Sequence, residues 1–405
     1  MKKLFFFLLL FPVFASQAQI DNTVLVIGRT TGTQYFPDGN YATIFGFIYD
    51  IIYPVEIPGP TLTFTEGDSV EIDFWNFSQG APHTIHLHGL DVNQENDGVP
   101  MLSFVVNHME HGYYKFKAPH PGLYLYHCHV LSPLHVQAGM YGMIVIEPAS
   151  GLNEAWLGGP QYDKAFNFLF SEFDMEWHVD SVMTQHHNPG QIQQWAYLPK
   201  YEPEYYLVNG VSSAGEINQG STISTQANAR NLLRFANVGF KAVSLKFPSA
   251  INAELISTDG RPLNLQNIDS LLIMPGERYS LIASSNLQLK DSIRVGYIDM
   301  NTLQEEWVHH IPFEAAGFFG LDNLGLINAQ IVPNPARNEQ LLKLDEVLNH
   351  SSTLTIYNLE GKEVFSSEIA EGVKEIALPR LPNGMYMLSL RDGQQLLFTG
   401  SFIRQ

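Results

Sequence analysis

The single cysteine of this 405-residue sequence lies within a concentration of histidines. Nine of the fifteen histidines fall between residues 83 and 135, and two of them flank Cys128 directly. A thiol that has no disulfide partner in its own chain is expected to be buried, reactive or bound to a metal. The clustering favours metal binding, because histidines that merely fill a core would not bracket the only cysteine.

Side chains alternate between the two faces of a β-strand, and this sorts the histidines into two groups. Cys128 must point to the opposite face from His127 and His129. His86 and His88 share a face, whereas His83, three residues before His86, points to the other. The alternation predicts that His83 and Cys128 face inward and that four imidazoles face outward, namely His86, His88, His127 and His129.

The inward group has the ligand types of a blue-copper centre. His135 and Met140 follow Cys128 on one connection, which can therefore supply an imidazole, a thioether and a thiolate. With the second imidazole of His83, this is the donor set of a trigonal blue-copper site. Zinc accepts two histidines and a cysteine, but the methionine favours copper. The sequence predicts a copper site at His83, Cys128, His135 and Met140.

The elements that must position these ligands are predicted to be β-strands. Short alternating runs broken by Gly, Pro, Asn and Asp recur along the chain, and long helical periodicity is scarce. This pattern predicts an all-β protein built from β-sandwiches. We expect a first domain at residues 19–150, a second at 151–315, a linker at 316–328 and a C-terminal domain at 329–405.

The N-terminal residues predict export, and the net charge excludes one class of partner. Lys2 and Lys3 precede the apolar run 4–14, which is too short to span a bilayer, and small residues follow it. Residues 1–18 are therefore predicted to be a cleaved signal peptide. The formal net charge of −19 leaves no basic groove for a phosphate backbone, so nucleic-acid binding is not expected.

Several specific motifs surround the histidines. They are Pro58-Gly59-Pro60-Thr61, Glu66-Gly67-Asp68, His86-Leu87-His88-Gly89 with Asp97-Gly98-Val99-Pro100, and Pro121-Gly122-Leu123-Tyr124 before His127-Cys128-His129. In these motifs the first domain resembles the cupredoxins of the multicopper oxidase and copper nitrite reductase superfamily. The resemblance extends over about residues 20–315, because the second block is similar to a plastocyanin-like domain. It implies two cupredoxin-like Greek-key β-sandwiches, followed here by a small C-terminal β-sandwich, and a secreted copper-dependent oxidoreductase.

The resemblance also implies roles for individual residues. The type 1 copper ligands correspond to His83, Cys128, His135 and Met140. A type 2 ligand corresponds to His86 and type 3 ligands to His88, His127 and His129, so these four are the expected catalytic residues. Two departures stand out. The connection from Cys128 to His135 differs in length from that of the family members. A complete oxygen-reducing cluster of this family needs eight histidines, whereas this domain offers four that face outward. The second block has Lys241–Lys246 where a histidine motif would fall.

The missing histidines leave three interpretations open. In the first, a neighbouring subunit of a homotrimer completes a type 2 site on His88 and His127 with its own His309 or His310. In the second, the four outward histidines hold one or two coppers with open positions. In the third, only the blue centre is filled and the protein carries electrons. The electron donor is expected to be a small molecule or a protein, and the expected acceptor, if the protein is an enzyme, is oxygen or nitrite. Four outward imidazoles favour the enzyme, because a carrier does not need them.

The C-terminal block opens with Pro333-Asn334-Pro335 and later contains Leu381-Pro382-Asn383-Gly384-Met385-Tyr386. It resembles the C-terminal sorting domain of the type IX secretion system of Bacteroidetes-like bacteria. The resemblance implies that the type IX secretion machinery is a partner. It also implies passage through the periplasm of a Gram-negative bacterium and release outside, or attachment at the cell surface.

Overall fold

A computed structural model describes residues 22–187, 197–316, 329–334, 336, 340–358, 362–393 and 395–404. The predicted signal peptide and all but the first residue of the predicted linker lie outside the described residues. The chain divides into two compact units, of which the first ends at Ala315 and the second begins at Ala316. No helix in these described ranges is long and apolar enough to cross a membrane.

The first sandwich consists of two four-stranded sheets, with strand orders β2-β1-β4-β6 and β3-β8-β7-β5 once numbered along the chain. These strands are β1 (Asn22–Tyr35), β2 (Tyr41–Ile48), β3 (Leu62–Thr65), β4 (Ser69–Asn76), β5 (His86–His88), β6 (His111–Lys117), β7 (Gly122–His127) and β8 (Tyr141–Glu147). A 3₁₀ turn at Gln94–Asn96 follows β5, and helix α1 (Ser132–Gln137) joins β7 to β8.

Alternation along the strands builds the core of this sandwich. In β4, Val70, Ile72 and Phe74 are buried while the residues between them are partly exposed. They meet Tyr124 and Ile144 of the opposite sheet in one apolar core. The sequence pattern that predicted β-strands is the pattern that buries these side chains.

The second sandwich has a six-stranded and a five-stranded sheet, in the orders β10-β9-β12-β17-β14-β15 and β11-β19-β18-β13-β16. Its strands are β9 (Lys164–Phe173), β10 (Tyr205–Val208), β11 (Ile223–Gln226), β12 (Asn231–Asn237), β13 (Ala242–Lys246), β14 (Asn252–Thr258), β15 (Arg261–Ile268), β16 (Ser270–Ile273), β17 (Arg278–Ser284), β18 (Leu289–Ile298) and β19 (Glu305–Ala316). Its short helices are α2 (Asp180–Met183) and α3 (Ala214–Gly220), with 3₁₀ turns at Met175–His178 and Thr184–His187.

The two sandwiches pack against each other through the outer face of the β7–β8 sheet. Leu125 of β7 contacts an apolar cluster that includes Leu169 of β9. Arg234 of β12 is buried and binds both carboxylate oxygens of Glu147, at 3.1 and 3.0 Å. A bidentate pair of this kind is geometrically specific. The outer face of β7, which ends at His127, therefore lies towards the second sandwich.

The C-terminal unit is a small sandwich of a three-stranded and a four-stranded sheet, ordered β20-β21-β24 and β23-β22-β25-β26. Its strands are β20 (Ala329–Val332), β21 (Leu341–Leu344), β22 (Ser352–Tyr357), β23 (Glu363–Ile369), β24 (Glu375–Ala377), β25 (Gly384–Asp392) and β26 (Gln395–Arg404). Leu342, Ile356, Leu388 and Phe402 belong to its separate apolar core. The all-β fold predicted for the chain is confirmed.

Candidate metal centres

The inner group consists of His83, Cys128 and His135, which converge in the core of the first sandwich. Cys128 directly follows β7, and His135 lies in α1. The Nδ1 atoms of His83 and His135 lie 3.6 and 3.2 Å from Sγ of Cys128. All three residues are fully buried. The three donor atoms are close enough together to bind one metal ion.

Met140, the fourth predicted ligand, is also fully buried and belongs to the same apolar core as Cys128. Its carbonyl accepts the N–H of Cys128 at 3.0 Å, and its own N–H donates to the carbonyl of His135 at 2.9 Å. These hydrogen bonds close the connection that carries three of the predicted ligands. Gly139 has a φ of +114° and leaves no room for a side chain, because a Cβ there would collide with Ile57.

Burial raises the pKa of the Cys128 thiol to about 11. A thiolate in this apolar setting therefore needs a cation beside it. A thiolate and a thioether are soft donors, and imidazole also suits copper, so this set of two imidazoles, one thiol and one thioether fits copper. The residues present are consistent with a blue-copper centre.

The strand that contains His86 and His88 does not extend back to His83, although the predicted alternation of faces assumed one continuous strand. Strand β5 contains only His86–His88, while His83 forms a single β-bridge with Val106. The N–H of Ile85 donates to the hydroxyl of Tyr114 at 3.0 Å, so a side chain takes the place of the ladder partner. The separation of His83 from His86 thus comes from a break in the strand as well as from alternation.

The outer group consists of His86, His88 and His127. One ring nitrogen of each lies within 4.8 Å of the others. Strands β5 and β7 are antiparallel and place His86 opposite His127. Nδ1 of His88 lies 3.3 Å from Nε2 of His127. The pairing of two strands therefore brings three imidazoles to one place.

His129 lies beside this group but outside its three-residue set. Its ring centre is 5.3 Å from that of His86 and 5.9 Å from that of His127. His129 follows the end of β7, and its N–H donates to Oγ1 of Thr84 at 3.0 Å. The four predicted outward histidines are thus neighbours, and three of them each have one ring nitrogen within 4.8 Å of the others.

The protein environment orients the outer rings. Nδ1 of His86 donates to the carbonyl of Asp97 at 2.7 Å, which leaves Nε2 of His86 for a metal. Nδ1 of His127 lies 3.1 Å from the carbonyl of Cys128. Contacts of this kind fix which ring nitrogen can bind metal. The sequence analysis identified Asp97 only as part of a motif and did not predict the role of its carbonyl.

Burial keeps the outer histidines uncharged. It lowers the pKa of His127 to about 3 and lowers the pKa of His86. Burial, together with the charge of Arg278, lowers the pKa of His88 to about 4. Only the neutral ring binds a metal, so all three are competent ligands at neutral pH.

Arg278 is a residue of this site that sequence reasoning did not identify. It begins β17 of the second sandwich, is buried, and lies beside His88 of the first. The signal available in the sequence was Pro275-Gly276-Glu277-Arg278, which indicated only a turn before a strand. The outer group is consequently bordered by both sandwiches.

The structure does not support His309 as a ligand offered to a neighbouring chain. His309 is buried inside the second sandwich, and its Nε2 lies 2.7 Å from the carbonyl of Tyr206. The next residue on β19, His310, points the other way, is exposed, and has Nδ1 3.0 Å from Oγ of Ser292. Because side chains alternate along β19, His309 is buried and His310 is exposed.

A buried carboxyl lies behind the inner group. Burial raises the pKa of Glu172 to about 7, although Glu172 accepts hydrogen bonds from the Tyr201 hydroxyl at 3.1 Å and the Phe240 N–H at 2.8 Å. The side chain of Gln137, the last residue of α1, donates to the Glu172 carbonyl at 3.0 Å. This contact connects the second sandwich to the helix that carries His135.

Three family models match the chain. Two are described as "Multicopper oxidase" and match residues 50–151 and 173–291, which together are more than half of the sequence. The third, "Secretion system C-terminal sorting domain", matches residues 330–403. The predicted resemblances of both regions are confirmed. Copper is the cofactor of the matched family, and the sorting domain indicates type IX secretion to the cell surface or the outside.

Curated relatives include two kinds of copper enzyme. The copper-containing nitrite reductase of Neisseria gonorrhoeae is 27% identical over 223 residues, which are 55% of this chain and 52% of that protein. The L-ascorbate oxidase of Cucumis sativus is 27% identical over 280 residues, which are 62% of this chain and 42% of that protein. The chain thus spans about half the length of the curated relatives that it matches.

Solved structures agree with the fold. The blue copper oxidase from Nitrosomonas europaea superposes with a TM-score of 0.56 and 22% identity, covering 73% of this chain and 86% of that one. The copper nitrite reductase from the same organism gives a TM-score of 0.55 and 20% identity, covering 73% and 93%. At this identity the likeness concerns the fold, and it confirms the cupredoxin-like sandwiches.

Proposed function

We propose that this chain, which belongs to the multicopper oxidase family, is an exported copper-dependent oxidoreductase with an inner and an outer metal centre. The observation that carries the proposal is the position of Cys128 in the inner group and of His127, the preceding residue, in the outer group. Copper would supply the redox chemistry, taking electrons from a reductant at the inner centre and delivering them to oxygen or nitrite at the outer one.

The surroundings of the two groups suit different tasks. The inner residues are fully buried, which excludes water and other ligands from them. The outer group is partly accessible, since the His86 side chain is 18% exposed. A small acceptor can therefore reach the outer group, whereas only electrons need to reach the inner one.

Two features of the chain concern the link between the two groups and the edge of the outer group. The peptide bond between His127 and Cys128 links the groups covalently by the shortest route a chain allows. The Asp97 carboxylate lies 3.6 Å from Nδ1 of His86, with its side chain 27% exposed, at the edge of the outer group. Both features belong to the chain itself and are independent of what the neighbouring subunit provides.

A second candidate function is electron carriage by the inner centre alone. The convergence of three imidazoles with neutral, oriented rings at one partly accessible place argues against it, because an electron carrier does not need them. A homotrimer in which a neighbour completes the outer group remains a prediction. With His309 buried, His310 is the candidate left of the two named.

Copper counting on the purified full-length protein, combined with oxygen and nitrite consumption, tests the proposal. We expect more than one copper per chain, a blue absorption band and reductant-dependent consumption of one acceptor. A single copper, a blue band and no consumption of either acceptor would instead identify an electron carrier.

The route of export is part of the same proposal. We infer that the signal peptide directs the chain to the periplasm and that the C-terminal unit then engages the type IX secretion machinery. Fusion of residues 329–405 to a reporter that already carries a signal peptide should send the reporter outside the cell. Retention of that reporter in the periplasm would contradict the role of the C-terminal unit.

A further inference from the structure

Arg278 reaches from the second sandwich to the outer histidine group of the same chain. Its side chain is 6% exposed. Nη1 lies 3.1 Å from Oδ1 of Asp259 and also donates to the carbonyl of Gly276. A planar guanidinium that binds a carboxylate and a carbonyl together is held in one orientation.

Two glycines allow this approach. Gly89, directly after β5, has a φ of +87°, and a Cβ on it would collide with Nη2 of Arg278. Gly276 has a φ of +85°, and a Cβ on it would lie 3.2 Å from Cε1 and 3.4 Å from Nε2 of His88. The backbone of each sandwich therefore lies against a side chain of the other.

The turn that carries Gly276 is itself fixed in place. The N–H of Gly276 donates to the carbonyl of Asn237 at 2.8 Å, and the N–H of Arg278 lies 3.2 Å from Oδ1 of Asp259. The turn between β14 and β15 that contains Asp259 also contacts the first sandwich, because a Cβ on Gly260 would collide with the hydroxyl of Tyr124. Arg278 thus stands between two anchored turns.

His88 uses its two ring nitrogens in opposite directions. Nδ1 lies 3.3 Å from Nε2 of His127, at the centre of the outer group. On the other side of the ring, a Cβ on Gly276 would lie 3.4 Å from Nε2, so the Gly276 backbone packs against this edge of the ring. Because backbone covers this edge of the ring, Nδ1 is the nitrogen directed towards the other outer histidines.

We propose that Arg278 is a positioning residue for His88. By binding the Gly276 carbonyl and packing over Gly89, it keeps the His88 ring turned with Nδ1 towards His86 and His127. The second sandwich is then a structural part of the outer centre of its own chain. The inference rests on the proposed function only in that the outer group must bind a metal.

The test measures the binding of Cu²⁺ to the outer group of the full-length protein, after the blue centre has been filled, by equilibrium dialysis. We expect Arg278→Met to weaken the second copper by about 10–100-fold, which is the usual cost of losing a contact that orients a ligand. The blue absorption should be unchanged. Arg278→Lys keeps the charge but not the planar fork, so we expect an intermediate loss.

Arg261→Met is the matched control. Arg261 forms an ion pair with Asp91, which also joins the second sandwich to the first. No hydrogen bond or ion pair described for Arg261 involves His88. We expect the affinity of this variant for the second copper to be unchanged. Gly276→Ala, which adds a methyl group against the His88 ring and retains the arginine, should also weaken the second copper.

The outcomes distinguish failure of the proposed function from failure of the positioning role of Arg278. Absence of a second copper from the wild-type protein would overturn the proposed function together with this inference. A second copper that binds Arg278→Met and Gly276→Ala as tightly as the wild-type protein would overturn the inference alone. Equal weakening by Arg261→Met would also overturn it, because the cause would then be the docking of the sandwiches.

Discussion

The inner and outer groups lie on opposite sides of the same sheet and differ in what completes them. The inner group takes its residues from one sandwich, and a single connection between β7 and β8 carries Cys128, His135 and Met140. The outer group takes three histidines from β5 and β7 and is bordered by Arg278 of the second sandwich. Most ligands of the inner group are therefore placed by one short segment of the chain. The surroundings of the outer group depend instead on how the two sandwiches pack.

The largest effect is expected from Cys128→Ser, which tests whether the inner group is independent. A serine hydroxyl does not replace the thiolate that gives a blue-copper site its colour, so the blue absorption should disappear completely. Copper at the outer group should be retained, as measured by metal content and electron paramagnetic resonance. A blue band in this variant would contradict the assignment of Cys128.

His88→Ala should have the opposite effect. We expect steady-state turnover to fall by more than about 100-fold, because losing a ligand should cost more than losing a contact that orients one, which itself costs up to about 100-fold. The blue absorption should be unchanged. Turnover at the wild-type rate would show that the outer group is not the site of reduction.

His129→Ala sharpens the boundary of the outer group. His129 lies near His86 but outside the set of three converging nitrogens. We therefore expect its removal to weaken the outer copper by about tenfold or less, the low end of the effect of an indirect contact. A loss as large as that of His88→Ala would make His129 a ligand.

Met140→Leu tests the weak fourth position of the inner group. The volume is nearly conserved, so the fold should be retained. The blue band should remain, and the reduction potential should rise, because a lost thioether donor destabilises the oxidised metal more than the reduced one. Met143→Leu is the matched control, since Met143 packs between the sandwiches and should leave the potential unchanged.

The smallest effect concerns the free energy of unfolding and the buried carboxyl of Glu172, whose backbone contacts α1. Because the pKa of Glu172 is raised to about 7 in the folded protein, the folded chain keeps this proton at a pH where the unfolded chain has lost it. The free energy of unfolding should therefore fall by on the order of 1–3 kcal/mol as the pH rises from about 4.5 to about 7. Glu172→Gln should remove this part of the slope in urea unfolding at several pH values. An unchanged slope would assign the pH dependence to other groups.

Much of the fold and of the inner group could be predicted from the sequence. Alternating runs such as β4 bury every second side chain, so the all-β fold follows from periodicity. The lone cysteine, followed by a histidine and a methionine on one connection, indicated the inner group because ligand types and short spacing were enough. The prediction was less accurate for His83, whose strand breaks at Ile85, and it did not foresee that the second sandwich buries His309.

The sequence by itself determined the ligand types of both groups and the faces on which they lie, since both follow from residue identity and the two-residue repeat of a strand. Only the tertiary structure decided that three of the four outward histidines converge with His129 beside them, and that Gly276 and Arg278 border this group. These contacts join strands that are far apart in the chain. They depend on how two sandwiches pack, and this packing cannot be predicted from the two-residue repeat of a single strand.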